Sequence, residues 1–200
     1  NPPQKKYYHR TDSGNAERLR DRFGEIIRYC PAFKHWLVYD NYYWRKETGE
    51  LMQFAIKTAR DMLTEASRIE DEATRKELVR HAMQSENAGK LKAMIDVASN
   101  LEGLIIAPDD LDADIWKLNC KNGVIDLKTG NLMSHKREYY MSKLCPVEYN
   151  SDSHAPRWME FLKDITGGSS ELMRYLQKAV GSSLSGDTSE QALLVLYGTG

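Results

Sequence analysis

The hydrophobic positions between residues 51 and 101 repeat with the period of an α-helix. Apolar side chains at 51, 54, 55 and 62, with Thr58, fall on one helical face, and a second helical run covers 72–85. The clearest stripe follows in a third run: Leu91, Met94, Ile95, Ala98 and Leu101. Because the connections between these runs are short, we predict a bundle of three antiparallel helices.

An earlier and shorter helix is predicted over residues 14–22. Residues 11–13 offer side chains that suit an N-cap, and Gly24 occupies the place of a terminating C′ glycine. Three short strands are predicted after it, at 26–29, 36–39 and 42–45, with a tight turn at 40–41. Five aromatic residues crowd these strands, and core packing is favoured for them over stacking on bases: Trp36, Tyr39, Tyr42, Tyr43 and Trp44.

A second group of strands is predicted beyond the bundle. The dipeptide Asn122-Gly123 is a strong hairpin signal between 118–120 and 124–126, and 131–133 follows another turn. We predict a further strand over 139–147. The polar segment 151–156 is interpreted as a joint between domains. Helices are predicted after it: 158–165 and 171–184.

The final residues resemble the beginning of a phosphate-binding loop. The aliphatic run 193–196 predicts a buried strand, and a glycine-rich turn follows with Gly198, Thr199 and Gly200. A strand that leads into such a turn is typical of the pattern G-x-x-x-x-G-K-[ST], in which the lysine and the hydroxyl group contact phosphate and Mg²⁺. We expect that lysine beyond Gly200. The alternative is an ordinary strand that ends in a glycine turn.

A second stretch, 181–186, has the same glycine spacing but a different meaning. Asp187 stands where the pattern needs lysine, and its carboxylate would repel phosphate. The stretch also follows a predicted helix rather than a strand. It is therefore interpreted as a helix end and a loop.

Composition is that of a globular protein with room for one large or two small domains. The chain has 200 residues, of which 41% are hydrophobic and 28% charged. No apolar run approaches the ~20 residues that a membrane span needs, and no secretory leader is recognised. Three cysteines without C-x-x-C spacing argue against a zinc site and suit a reducing cytosol, so a cytoplasmic location is expected.

Charge is unevenly distributed along the chain. Residues 1–60 carry 12 Lys and Arg against 7 Asp and Glu, whereas residues 61–126 carry 8 against 14. The basic side chains near the start alternate with aromatic ones, an arrangement that suits single-stranded DNA, and a solvated helix face is the alternative. The candidate DNA-binding residues are Lys5, Lys6, Arg10, Arg18, Arg20, Arg22 and Arg28.

An acidic cluster lies at residues 109–114. Asp112 and Asp114 have the spacing of paired carboxylates that hold metal ions in primases, but no confident strand presents them. We interpret the cluster as a solvated loop with capping aspartates and predict no metal site. No arrangement of nucleophile and base stands out, so no catalytic residue is assigned.

Four segments in order resemble the phage and plasmid primase-helicase family, which is related to the poxvirus primase-helicase. They lie at 11–18, 118–130, 176–181 and 186–191, the last leading into 196–200. The resemblance covers the region just before a superfamily 3 helicase core. Asp12, Gly14, Asn15 and Arg18 match the first signature of the family, although their role does not follow from the residues themselves.

This resemblance implies a linker over 1–10, a collar domain over 11–150 and the start of an ATPase domain over 151–200. The expected fold is mixed α+β and mostly helical, a helix bundle with small antiparallel hairpins, followed by the beginning of an α/β P-loop domain. The parent protein would be an ATP- and Mg²⁺-dependent replicative DNA helicase that forms a hexameric ring, with a primase domain or replication proteins as partners. It would act in the cytoplasm of a bacterial or phage-infected cell. We expect these 200 residues alone to be inactive and without cofactor. The alternative is a module for oligomerisation or partner recruitment that does not contact DNA.

Overall fold

The computed structural model describes residues 7–189 and Val195. The chain divides into two compact units, the first ending at Leu111 and the second beginning at Asp112. The predicted joint at 151–156 falls inside the second unit, and the domain limits inferred from the resemblance stay a prediction. Apart from Val195, the predicted strand 193–196 lies outside the described residues, as does the predicted glycine turn at 198–200.

The first unit combines a helical bundle with one small sheet, in agreement with the mixed fold predicted. Its elements are α1 (Asp12–Phe23), β1 (Ile27–Cys30), β2 (His35–Tyr39), β3 (Trp44–Lys46), α2 (Glu50–Ala66), α3 (Glu72–Ser85) and α4 (Ala88–Ala98). Helix α1 packs against α2 and α4, and α2 also packs against α3. The bundle is therefore built from four helices, since α1 joins the three that were predicted.

Small and aliphatic side chains fill the centre of this bundle, which explains its close helix packing. The apolar stripes of α2 and α4 point inward as predicted. Fully buried positions of the bundle include Ala16, Leu19, Ala55, Ala59, Met62, Ala82, Met94 and Ala98. Leu101 lies beyond the end of α4 and packs against the core from the following turn.

The start of α1 is capped and closely packed. The side chain of Thr11 accepts a hydrogen bond from the backbone N–H of Gly14 at 3.2 Å. A Cβ atom at Gly14 would overlap the carbonyl oxygen of His9, so the chain needs a glycine there. At the other end, Gly24 has a right-handed φ of −61° rather than the left-handed conformation of a C′ glycine.

The sheet of the first unit is antiparallel in the order β1-β2-β3, and Ile27 is paired with Val38. Strand alternation sends Ile27, Trp36 and Val38 into the bundle core. Trp36 and Trp44 are buried, which confirms core packing for these two aromatics, whereas Tyr42 is about half exposed. Stacking on bases is therefore not available to either tryptophan in this fold.

An ion pair joins the sheet to the bundle. The guanidinium of Arg45 in β3 pairs with the carboxylate of Glu50 at the start of α2. Hydrogen bonds from the backbone N–H of Thr48 and from Arg45 lower the pKa of Glu50 to about 2. Helix α2 thus begins with a carboxylate that stays ionised near its N-terminus.

The second unit contains a meander and two helices. Its elements are β4 (Lys117–Cys120), β5 (Gly123–Asp126), β6 (Leu132–Met133), α5 (Pro156–Ile165) and α6 (Ser170–Ser182). The predicted hairpin and meander are confirmed by antiparallel pairing in the order β4-β5-β6. Both helices leave apolar side chains about half exposed, among them Trp158, Phe161 and Tyr175. Within the described part of the chain, no helix has the length and apolar character to span a bilayer.

The predicted strand over 139–147 is wrong. Residues Arg137–Tyr139 form a 3₁₀ turn, and Tyr140 then adopts a left-handed φ of 47° that interrupts any extended run. Ser142, which follows this turn, is held by Asp112, a residue 30 positions earlier in the chain. The carboxylate of Asp112 accepts hydrogen bonds from the N–H and the hydroxyl of Ser142. Within this stretch, the described residues retain one isolated bridge, which joins Cys145 to Cys120.

Gly123 opens β5 with a φ of 154°. A Cβ atom at this position would overlap the carbonyl oxygen of Met133 in β6 and the side chain of Leu132. The glycine is therefore required by the close approach of the third strand as well as by the turn.

We expect Gly123→Ala to lower the free energy of unfolding by more than about 1 kcal/mol, because the native conformation is incompatible with a side chain. Urea unfolding of the full chain, followed by circular dichroism, measures this change. Gly181→Ala in α6 is the matched control, since a Cβ atom there meets nothing within 4 Å. That variant should be neutral or stabilised by up to about 1 kcal/mol. Equal stability of the two variants would contradict the prediction.

Candidate nucleic-acid interface

Two arginines of α1 that were predicted to bind DNA, Arg18 and Arg22, face acidic residues of α2. Arg18 is buried, with 6% of its side chain exposed, and its guanidinium pairs with Glu65. Arg22 pairs with the same carboxylate and with Asp61 at 3.0 Å. It also donates a hydrogen bond to the carbonyl oxygen of Thr58 at 3.2 Å. These charges connect α1 to α2 inside the bundle.

The other candidate arginines in the described chain also have partners. Arg10 pairs with Glu77 of α3, and Arg20 pairs with Asp21 at 3.0 Å. Arg28 donates hydrogen bonds to the carbonyl oxygens of Gly24 and Ile27, and it lies 5.2 Å from the ring centre of Trp44. Lys5 and Lys6 lie outside the described residues. DNA binding by these side chains stays a prediction.

Tyr8 covers the buried guanidinium of Arg18. The ring centre lies 4.5 Å from the central carbon of that guanidinium, at cation–π distance. The hydroxyl of Tyr8 donates a hydrogen bond to Asp21 at 2.8 Å. Burial, followed by the hydrogen bond and charge of Asp21, raises the pKa of Tyr8 to about 12. Tyr8, one of the aromatic residues before α1, is thus engaged within the fold by Arg18 and Asp21.

A ring of hydrogen bonds links α1 to α3. The side-chain amide of Asn15, which is fully buried, donates to the hydroxyl of Ser85 at 2.9 Å. Ser85 in turn donates to the carbonyl oxygen of His81 at 2.8 Å. Nε2 of His81 lies 2.9 Å from the amide oxygen of Asn15, so Nε2 carries the hydrogen in this arrangement. Each buried polar group in the ring has a partner.

The matched residues of the first signature thus have structural roles. Gly14 permits the close approach of the preceding chain, Asn15 and Arg18 hold the buried polar contacts, and Asp12 pairs with Lys90 of α4 at 3.1 Å. Sequence reasoning missed these roles because the ion-pair and hydrogen-bond partners of these side chains lie far along the chain, on α2, α3 or α4.

Polar side chains of the second signature, residues 118–130, stabilise the meander through hydrogen bonds to the backbone. The amide of Asn119 donates to the carbonyl oxygen of Lys143 at 2.9 Å. Asn122 exchanges two hydrogen bonds with the backbone of Tyr149, at 2.8 and 2.9 Å. Asp126 accepts from the N–H groups of residues 128 and 129, which sets the turn before β6. The polar residues of the second signature therefore have structural roles as well.

Basic and aromatic side chains also meet in the second unit, at residues that sequence reasoning did not select. The amine of Lys128 lies 5.1 Å from the ring centre of Trp116. Lys117 and Lys136 lie 4.6 and 5.8 Å from that of Tyr139. The register of the hairpin formed by β4 and β5 could have predicted the contact between Lys128 and Trp116, because it brings the residues that flank the two strands together.

Of the acidic cluster, Asp110 has the capping role that was predicted. Asp110 accepts a hydrogen bond from the N–H of Ala107 at the start of the 3₁₀ turn Pro108–Asp110. Asp114 accepts from the N–H of Trp116 and pairs with Lys117, which lowers the pKa of its carboxyl group. Among the residues described, no three His, Cys, Asp or Glu side chains come together as metal ligands would.

A family model described as "D5 N terminal like" matches residues 16–167, which is most of the chain. The chain therefore belongs to this family, the N-terminal domain of phage and viral primase-helicase proteins. No curated protein matches the chain significantly.

Replacement of Arg18 tests whether this arginine serves the bundle. We expect Arg18→Met to lower the free energy of unfolding by at least about 2 kcal/mol, because it leaves a partly buried carboxylate at Glu65 with one partner fewer. Arg20→Met is the matched control on the same helix. Its pairing with Asp21 is partly exposed, so its loss should change stability by at most about 1 kcal/mol. Urea unfolding measures both. A neutral Arg18→Met would refute the structural role.

His81 makes stability depend on pH. Burial and the positive charges of Arg18 and Arg10 lower its pKa in the folded chain, against a smaller opposing effect of Asp12. The unfolded chain therefore binds a proton more readily, and the stability contributed by neutral His81 is complete above about pH 6.5 and lost below it.

We expect the free energy of unfolding of His81→Gln to fall less steeply than that of the unchanged chain between about pH 7 and pH 5. Urea midpoints at several pH values measure the difference. His35→Gln, at the partly buried first residue of β2, is measured in parallel as a histidine replacement elsewhere in the same unit. Parallel curves for the unchanged chain and His81→Gln would show that His81 does not titrate differently on folding.

Proposed function

We propose that this chain is the region that precedes the motor of an ATP-dependent replicative DNA helicase, and that it supports ring assembly and DNA engagement beside that motor. The observation that carries the proposal is the family match over residues 16–167. A phage, plasmid or mobile element would be the source of such a protein. Its other partners would be a primase domain or replication proteins.

Nucleotide chemistry would belong to the parent protein rather than to these residues alone. Gly198, Thr199 and Gly200 would begin the phosphate-binding loop of a superfamily 3 motor that uses ATP and Mg²⁺. The 200 residues contain no complete G-x-x-x-x-G-K-[ST] pattern, so they lack the lysine that stabilises transferred phosphate. Hydrolysis of ATP by this chain alone is not expected.

DNA engagement has two sets of candidate residues in this proposal. Lys5, Lys6 and Arg10 precede α1, and the Arg10 side chain is about one third exposed. Lys128 beside Trp116 and Lys136 beside Tyr139, both exposed, form the second set. Exposed cations beside aromatic rings suit the phosphates and bases of a single strand.

A second candidate function is a module that assembles or recruits partners without touching DNA. The specific observation in its favour is that two candidate arginines, Arg18 and Arg22, form ion pairs with Glu65 and Asp61 of the same bundle. This removes two cations from the surface that a DNA contact would use.

Two measurements on the purified chain separate these functions. Mass photometry, with and without single-stranded DNA, reports assembly, and fluorescence anisotropy over a range of salt concentrations reports binding. We expect rings and salt-dependent binding. Replacement of Lys5, Lys6 and Arg10 by alanine should reduce the slope of log K against log salt by about 2.

A triple alanine variant at Lys76, Arg80 and Lys92 is the matched control, since it removes the same charge from exposed helix positions. It should keep the slope. Rings without any salt-dependent binding would favour the second candidate. Absence of both assembly and binding would remove the proposed function.

A further inference from the structure

Two cysteines that are distant in sequence lie side by side in the second unit. Cys120 ends β4 and is buried, whereas Cys145 is half-buried in the segment that runs beside it. A parallel backbone bridge joins the two residues, and the N–H of Cys145 donates to the carbonyl oxygen of Asn119 at 2.8 Å.

The chain segments that follow the two cysteines are held together by further hydrogen bonds. The N–H of Lys121 donates to the carbonyl oxygen of Val147 at 2.9 Å, and Asn122 holds Tyr149. Bridged residues of neighbouring strands have Cα atoms about 5 Å apart, inside the range that a disulfide spans. A bond between the two sulfurs therefore requires no large movement of the chain.

We infer that Cys120 and Cys145 form a reversible disulfide that fastens residues 143–149 to β4 when the chain meets a disulfide oxidant such as oxidised glutathione. This modification site is independent of the proposed helicase function. The third cysteine, Cys30, is fully buried in β1 of the other unit and takes no part.

The exchange proceeds in two balanced steps. The more accessible thiol, Cys145, loses its proton and attacks one sulfur of oxidised glutathione, which releases one glutathione thiolate and leaves a mixed disulfide. Cys120 then attacks the sulfur of Cys145, its proton passes to solvent, and the second glutathione thiolate leaves. The two thiolates take up the two protons, so two protein thiols become one disulfide and one oxidised glutathione becomes two reduced molecules.

The environment of the pair fits this order. Burial and the nearby Cys145 raise the pKa of the Cys120 thiol, so this group stays protonated and is a poor first nucleophile. The product closes a loop that contains β5, β6 and the 3₁₀ turn. Such a closure restricts the unfolded chain and should raise the melting temperature by several degrees.

The test incubates the reduced full chain with oxidised glutathione and then blocks remaining thiols by alkylation. Intact mass should show the loss of two hydrogen atoms with one alkylated cysteine, and peptide mapping should join Cys120 to Cys145. Cys30→Ser should behave like the unchanged chain. Cys145→Ser should lose the link, and dithiothreitol should restore both thiols.

Three results would overturn the inference. They are a lasting glutathione adduct on Cys145 without an internal link, a link that involves Cys30 or a second chain, and a melting temperature that falls on oxidation. Because mapping of the unchanged chain decides the first two, the inference stays testable even where a cysteine variant fails to fold.

Discussion

The buried charge of Arg18 is the constraint on which the first unit depends. A guanidinium removed from water needs fixed partners in place of its lost hydration. Glu65 and the ring of Tyr8 supply two of them, whereas Nε of Arg18 is buried without a hydrogen-bond partner among the described residues. Arg22 shares the same carboxylate, so one acidic side chain of α2 is held by two cations of α1. Hydrophobic burial brings the helices together without direction, whereas these charges and the ring of hydrogen bonds around Asn15 fix how the helices are aligned.

The regular parts of the fold could be predicted because they depend on short-range pattern. The bounds of α3 agree with the predicted 72–85, and the hairpin lies where the Asn-Gly signal put it. The predicted strand over 139–147 failed for the opposite reason. Its conformation is decided by Asp112, whose carboxylate binds Ser142 from a position 30 residues away, and by a left-handed residue at Tyr140 that no periodicity shows. The amphipathic pattern located helices and left such long-range polar contacts undetected.

The candidate DNA-binding residues illustrate the same limit. A sequence shows how many cations lie near its start, but it does not show how many are already paired in the fold. Arg18 and Arg22 pair with Glu65 and Asp61, which lie far along the chain in the acidic middle segment. Arginines of the basic first segment instead pair with acids of the acidic middle segment within a single bundle.

Two of the four segments that resemble the family, 11–18 and 118–130, stabilise the fold, and this affects what their presence can support. Gly14, Asn15, Asn119 and Asn122 are held by packing and by backbone contacts, so another chain that keeps them shares a fold rather than an activity. Under the proposed function, contact with DNA would come from side chains that these networks leave at the surface, such as Lys128 beside Trp116. Membership of the family therefore describes the scaffold, whereas what the chain binds depends on its surface side chains and stays a proposal.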